Sequence, residues 1–234
     1  EMLNAAVDMA ETDANYKGVV ISNDSANFSV GANLMLLWME AQQKNWDGIG
    51  TMISGFQEAC MKLRYSKVPV VAAPSGMALG GGCEIILGCD AVRAHCETYI
   101  GLVEVGAGLI PGGGGNKNML LNIGANLLER GPKGWAGKSD GGPFPKIQKT
   151  FEAIGFAKVA TSAMEGVKTG YLPGQGRTNV TMQRSKLLHD AKQDVIKLAD
   201  NYEQLTPSEK IMVPGVGGKM AMHSAIDGFL LTNK

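Results

Sequence analysis

Glu84 closes the run Leu79-Gly80-Gly81-Gly82-Cys83-Glu84, and Glu104 sits inside Gly101-Leu102-Val103-Glu104-Val105-Gly106. Each carboxylate is therefore set in glycine-rich, otherwise apolar chain. A carboxylate is costly to remove from water unless it is paired or put to use. Two of them beside backbone that can approach a ligand closely suggest a paired acid/base site. Two glycine-bearing turns add complementary chemistry: Gly31-Ala32-Asn33 before one helical stretch and Gly80-Gly81-Gly82 at the start of another. Unpaired N–H groups and the positive end of a helix favour an oxyanion there. One N–H from each turn could hold a single ligand oxygen, and losing one such donor typically costs about 3–4 kcal/mol of transition-state stabilisation. Taken alone, a triple glycine is more often a packing or turn device, and a lone glutamate more often a solvated surface group. The catalytic reading needs their joint, ordered occurrence together with the character of the sequence between them.

The elements that must position these residues alternate. From residue 1 to about 74 the order reads helix, strand, loop, helix, helix, strand. Val19-Val20-Ile21 and residues 68–73 are short β-branched runs of the kind found in buried strands, and 27–34 is turn-rich. The helical stretches run to about residue 40 and from about 50 to 63. Residues 80–89 then read as a helix with glycines at its start, and 91–93 as a further strand. Alternation of this kind predicts an α/β core. Residues 112–115 and 131–145 are rich in Gly, Pro and Lys and read as loops, with 133–138 a solvated one. From residue 147 onward the chain reads mostly helical, with 187–201 the clearest case.

The 234 residues, 44% hydrophobic and 19% charged, are enough for one sizeable core with an appended subdomain. Lys+Arg and Asp+Glu are both 22, so no net field favours nucleic acid or an anionic membrane, and neither is an expected partner. Cys60, Cys83, Cys89 and Cys96 lack the close pairs of a zinc ribbon or redox motif and read as reduced structural thiols. His95, His189 and His223 are scattered, so no metal site is expected. No apolar run approaches the roughly 20 residues of a spanning helix, and no signal-peptide pattern opens the chain, so a cytoplasmic location is expected. The amphipathic start at Glu1 and the abrupt end at Lys234 suggest a piece of a longer chain. Gly215-Val216-Gly217-Gly218-Lys219-Met220 lacks the Ser/Thr of a phosphate loop and reads as a plain loop. Trp38, Trp46, Trp135 and the thirteen methionines read as fillers of core and tunnel walls.

The run from Val68 through Glu84, then Cys89-Asp90, Glu104 and Gly108-Leu109-Ile110-Pro111-Gly112, resembles the enoyl-CoA hydratase/isomerase (crotonase) superfamily. Phe28-Ser29-Val30-Gly31-Ala32-Asn33-Leu34 is similar to its upstream oxyanion motif. The similarity is specific over about 19–115 and loose afterwards, where 161–172 matches the family's later helix-and-turn segment. The wording of residues 98–106 is most similar to the hydratase portion of bacterial fused 3-hydroxyacyl-CoA dehydrogenase/enoyl-CoA hydratases.

That resemblance implies a crotonase-like core of repeated ββα units over 1–145, with the family's first strands lying before residue 1. It also implies a mostly helical, oligomer-forming and incomplete region over 146–234. It puts the N–H groups of Ala32 and Gly81 on the thioester oxygen of an enoyl-CoA, with Gly31, Gly80, Leu34, Pro111 and Gly112 also against the substrate. Glu84 would activate water for attack at C3 and Glu104 would exchange the proton at C2, in fatty-acid β-oxidation. Coenzyme A would enter only as part of the substrate, with no resident cofactor and no dinucleotide fingerprint. A homo-oligomer, and a fused or associated 3-hydroxyacyl-CoA dehydrogenase and thiolase, are the implied partners. Asn33 stands where the family usually has Asp, and Met35 where a Lys often follows, so CoA phosphate contacts must come from elsewhere. Two rival readings stand beside this one: a non-catalytic crotonase-fold segment retained for assembly, and a Δ3-Δ2 enoyl-CoA isomerase.

Overall fold

A computed structural model describes residues 1–129, 144–174, 176–207 and 213–232. The lysine-bearing stretch 133–138 and Trp135 lie outside the described residues.

The expected alternation is present. Helix α1 (Met2–Thr12) leads to β1 (Val19–Ser22), then α2 (Leu34–Gln42), α3 (Trp46–Arg64) and β2 (Val70–Ala73). Asn33 caps α2 by accepting from the N–H of Met35 and Leu36, and Asn45 caps α3 by accepting from Gly48. Next come β3 (Met77–Leu79), α4 (Gly81–Gly88), β4 (Ala91–His95), β5 (Tyr99–Gly101) and a short 3-10 turn, Glu104–Ala107. Two consecutive strand–strand–helix units are thus laid down, β2-β3-α4 and β4-β5 with the 3-10 turn.

Because the units repeat, equivalent strands pair. β1, β2 and β4 are parallel neighbours in one sheet, with Val19 opposite Val70 and Val71 opposite Ala91. β3 and β5 form a second parallel pair, with Leu79 opposite Gly101. All of β2 is buried, as expected of a parallel strand covered on both faces. One face packs into a core built from Val7, Leu63, Ile86, Ile100, Leu102 and Met119 with their neighbours. The other face meets Leu187, Ala191 and Val195.

Those three residues belong to α8 (Leu187–Ala199), the helix expected over 187–201. Before it come α5 (Gly115–Glu129), α6 (Pro145–Gly155), α7 (Ala163–Thr169) and β6 (Thr178–Thr181). Sequence reading did not pick out β6, which joins β4 in parallel as the outer strand of the main sheet. Arg93 on β4 and Asp194 on α8 form a two-pronged ion pair at 2.7 and 2.6 Å, fixing the helix to the sheet.

Two expectations are corrected. The glycines at 215–218, read as a loop, begin α9 (Gly215–Thr232), where Gly217 lets the helix lie against Phe144, whose ring is 3.2 Å from where a methyl on that glycine would stand. Trp38 and Trp46, read as fillers of core and tunnel walls, do not fill the core, being 59% and 63% exposed. The reason is that no residue of α2 is buried, and Trp46 opens α3 at its exposed end. The four cysteines are free thiols, three of them buried. Among the described residues no cluster of His, Cys, Asp and Glu could hold a metal ion, and no helix is long and apolar enough to cross a membrane.

Candidate active site

The register of the small sheet decides where the two acids go. Leu79 and Gly101 are partners at the same end of adjacent parallel strands, and both chains turn there into a helix or 3-10 turn carrying a glutamate. Glu84, in the first turn of α4, and Glu104, first in the 3-10 turn, therefore emerge side by side. A methyl group built on Gly80 would lie 3.3 Å from a Glu104 carboxylate oxygen, which puts Glu104 against the loop that starts the helix of Glu84.

Their environments differ. Glu84 is only 2% exposed, and its Oε1 accepts from the N–H groups of Gly113 and Gly115, both at 2.8 Å. Burial pushes its carboxyl up to about 7; the Gly115 N–H opposes this, the charge of Glu104 adds to it, and the Gly113 N–H opposes it. Glu104 is half-buried and also raised by burial, with its own N–H and that of Val103 pulling the other way without reaching hydrogen-bond geometry. Both its oxygens are shielded, and no described group donates to them. One carboxyl is thus anchored, while its neighbour presents free oxygens. Burial thus raises both carboxyls, and the pair can hold a proton near neutral pH.

The two glycine turns also converge. Ser29 bridges to Ala78 beside β3, accepting from Leu79 N–H at 2.9 Å and donating to Met77 O at 3.0 Å. This zips residues 28–31 along the strand that leads into Gly80. Gly31, at φ +97°, then faces Gly81: a methyl group on it would sit 3.6 Å from the Gly81 nitrogen. Among the described residues no oxygen accepts from the N–H of Ala32 or Gly81, the two proposed donors.

The remaining sequence-predicted residues take distinct places. Pro111 is buried and begins the glycine loop that reaches Glu84, and Gly112 follows it with its carbonyl held by Gln57 Nε2 at 2.7 Å. Leu34 begins α2 beyond Ala32 and is half-exposed, with no described contact to either glutamate. Three residues of the site were not singled out from the sequence. Gly113 and Gly115 lay in a glycine run read as a loop. Phe56 lies on α3 with its ring 3.2 Å from where a methyl on Gly81 would stand. The signal for Phe56 was there: Met52, Phe56, Ala59, Cys60 and Leu63 recur at helical spacing and define the inward stripe of α3.

Residues 1–130 match the family model described as enoyl-CoA hydratase/isomerase. A Bacillus subtilis protein named "Probable 3-hydroxyacyl-CoA dehydrogenase" is 43% identical over 214 residues, 92% of this chain and 25% of that protein. The fatty acid oxidation complex subunit alpha of Idiomarina loihiensis is 36% identical over 132 residues, 55% of this chain and 18% of that one. The chain thus spans a quarter or less of the length of these relatives. The crystal structure of an enoyl-CoA hydratase from Bacillus anthracis superposes with a TM-score of 0.65 at 23% identity, over 99% of this chain and 80% of that one, which shows the shared fold. With the family model covering more than half of its residues, the chain belongs to the enoyl-CoA hydratase/isomerase family.

Proposed function

We propose that the protein is an enoyl-CoA hydratase that adds water across the 2,3 double bond of an enoyl-CoA thioester to give a 3-hydroxyacyl-CoA. The observation that carries this reading is the pairing of an anchored, buried Glu84 with a Glu104 whose oxygens accept from no donor among the described residues, beside two N–H groups with no acceptor among them. The N–H groups of Ala32 and Gly81 would donate to the thioester oxygen, where negative charge develops as the C3–O bond forms. Ionised Glu84 takes the proton from water as it attacks C3, protonated Glu104 delivers its proton to C2, and the proton then passes from Glu84 back to Glu104, directly or through water, before the next turnover. Coenzyme A is held as part of the substrate, and no resident cofactor takes part.

We place the reaction in fatty-acid β-oxidation, within a larger cytoplasmic polypeptide that also carries 3-hydroxyacyl-CoA dehydrogenase chemistry. The relatives' names and the fraction of their length that this chain spans support that context. A homo-oligomer and an associated thiolase belong to the same proposal.

Crotonyl-CoA hydration by the intact protein tests the reading. We expect turnover that falls roughly 10²- to 10⁴-fold in Glu84→Gln and in Glu104→Gln. No turnover by the intact protein rejects catalysis in favour of an assembly role. Because Glu84 Oε1 is already engaged by two N–H groups, a one-base Δ3-Δ2 isomerisation through Glu104 is the second reading. Isomerase activity that survives Glu84→Gln while hydration is lost would favour it.

A further inference from the structure

The two peptide groups that donate to Glu84 are each held from behind. A trans peptide places its C=O and N–H on opposite sides. The Gly112–Gly113 peptide gives its N–H to Glu84 Oε1 and its carbonyl accepts from Gln57 Nε2 at 2.7 Å. The Gly114–Gly115 peptide gives its N–H to the same oxygen, and its carbonyl accepts from the Asn118 N–H at 3.0 Å as α5 begins. The second prop is backbone and comes with the helix. The first is a side chain reaching across from α3, and only its amide nitrogen can face a carbonyl oxygen.

We infer that Gln57 is a positioning residue for Glu84, clamping the Gly112–Gly113 peptide between α3 and the carboxylate so that the Gly113 N–H stays on Oε1. The clamp works in two ways. Geometrically, it ties a loop of four consecutive glycines, the least self-restrained backbone available, to the middle of a 19-residue helix. Electronically, donation into the carbonyl polarises the peptide and strengthens the hydrogen bond its N–H makes on the far side. Phe56, the preceding residue, lies against Gly113 from the same helix, so the loop is touched by two consecutive side chains of α3. Among the described residues, the charged and titratable groups around Glu84 are Glu104, Cys60 and Cys83. Lys117, on α5, lies over the Tyr65 ring. None of them substitutes for the clamp.

The inference rests on Glu84 working in the site proposed above, and its test has an arm that does not need turnover. Infrared difference spectra between the intact wild-type protein and Glu84→Gln isolate the Glu84 carboxyl and follow its titration. In Gln57→Ala and Gln57→Leu the midpoint moves upward, because a donor to the ionised form is weakened. With crotonyl-CoA, kcat falls roughly 10- to 100-fold, KM changes less than about threefold, and the acidic limb of the pH profile follows the titration. Gln57→Lys, which keeps a donor, recovers most of both. If the Glu84 midpoint in Gln57→Ala and Gln57→Leu matches wild type, the clamp is refuted whatever the activity. If wild type shows no hydration yet the midpoint moves, the clamp stands and the hydratase reading fails.

Discussion

Gly31 faces Gly81 across the gap between the two glycine turns, near enough that one added methyl would come within 3.6 Å of the Gly81 nitrogen and 3.3 Å of the Leu79 carbonyl oxygen. Gly31→Ala therefore puts a carbon between the two donors and forces a non-glycine residue to φ +97°. The backbone strain costs about 1–3 kcal/mol. We expect a fall of roughly 10- to 100-fold in kcat/KM for crotonyl-CoA, larger than the thermal destabilisation explains, read from kinetics beside a melting curve.

Stability near neutral pH carries the mark of Glu84. Its carboxyl titrates at about 7 in the fold against an ordinary 4.5, so between those values the folded protein keeps a proton that the unfolded chain releases. The stabilisation is complete below pH 4.5, falls as pH rises through 7, and is level above that. Glu84→Gln keeps an acceptor for the Gly113 and Gly115 N–H groups and removes the charge. At pH 8 the variant should be more stable than wild type by roughly 2–3 kcal/mol, with the gap closing towards pH 4.5, in urea titrations at both pH values. A gap that widens on acidification would contradict the assigned burial.

Phe56 and Gly113 are packed tightly enough to couple. A methyl on Gly113 would lie 2.3 Å from Phe56 Cε1 and 2.9 Å from Glu84 Oε2. Gly113→Ala should cost about 1–3 kcal/mol, and Phe56→Ala in the same chain should recover part of it, with a coupling energy of at least about 1 kcal/mol in a double-mutant cycle. Hydration should stay low in the double variant, since the clash with the carboxylate persists.

The Arg93–Asp194 pair joins β4 to α8 with both side chains mostly shielded. Arg93→Ala leaves a carboxylate without its partner and should cost about 3 kcal/mol or more, whereas Arg93→Met with Asp194→Leu should come close to wild type. Chemical denaturation of the three proteins checks this, and equal losses in both variants would show that the pair itself stabilises the sheet.

The parts of the site legible in the sequence were those in which residue type dictates chemistry. Glu84, Glu104 and the two glycine turns stood out only jointly, in their order along the chain, because each alone has a commoner structural use. The strand register that brings them together could not be read, because three-residue strands such as Met77–Leu79 carry no periodicity. Helix α5 was hidden for a different reason: Asn118 and Asn122 face inward with Met119 and Ile123, so its buried face is half polar and gives no apolar stripe. Strand β6, Thr-Asn-Val-Thr, has a single apolar residue, and its pairing with β4 rather than its composition makes it a strand. The props behind Glu84 were invisible because Gly113 and Gly115 act through backbone atoms, which every residue type shares.

The pairing of β4 with β6 joins Val92 to Thr178, so the main sheet gains its last strand from a segment synthesised long after both glutamates. Until that segment emerges from the ribosome, the far rim of β4 is bare hydrogen-bonding backbone, open to any other extended chain. Such distant closure is slow compared with helix formation. A chain ending before residue 178 would hold both glutamates and both glycine turns and still leave that rim unpaired.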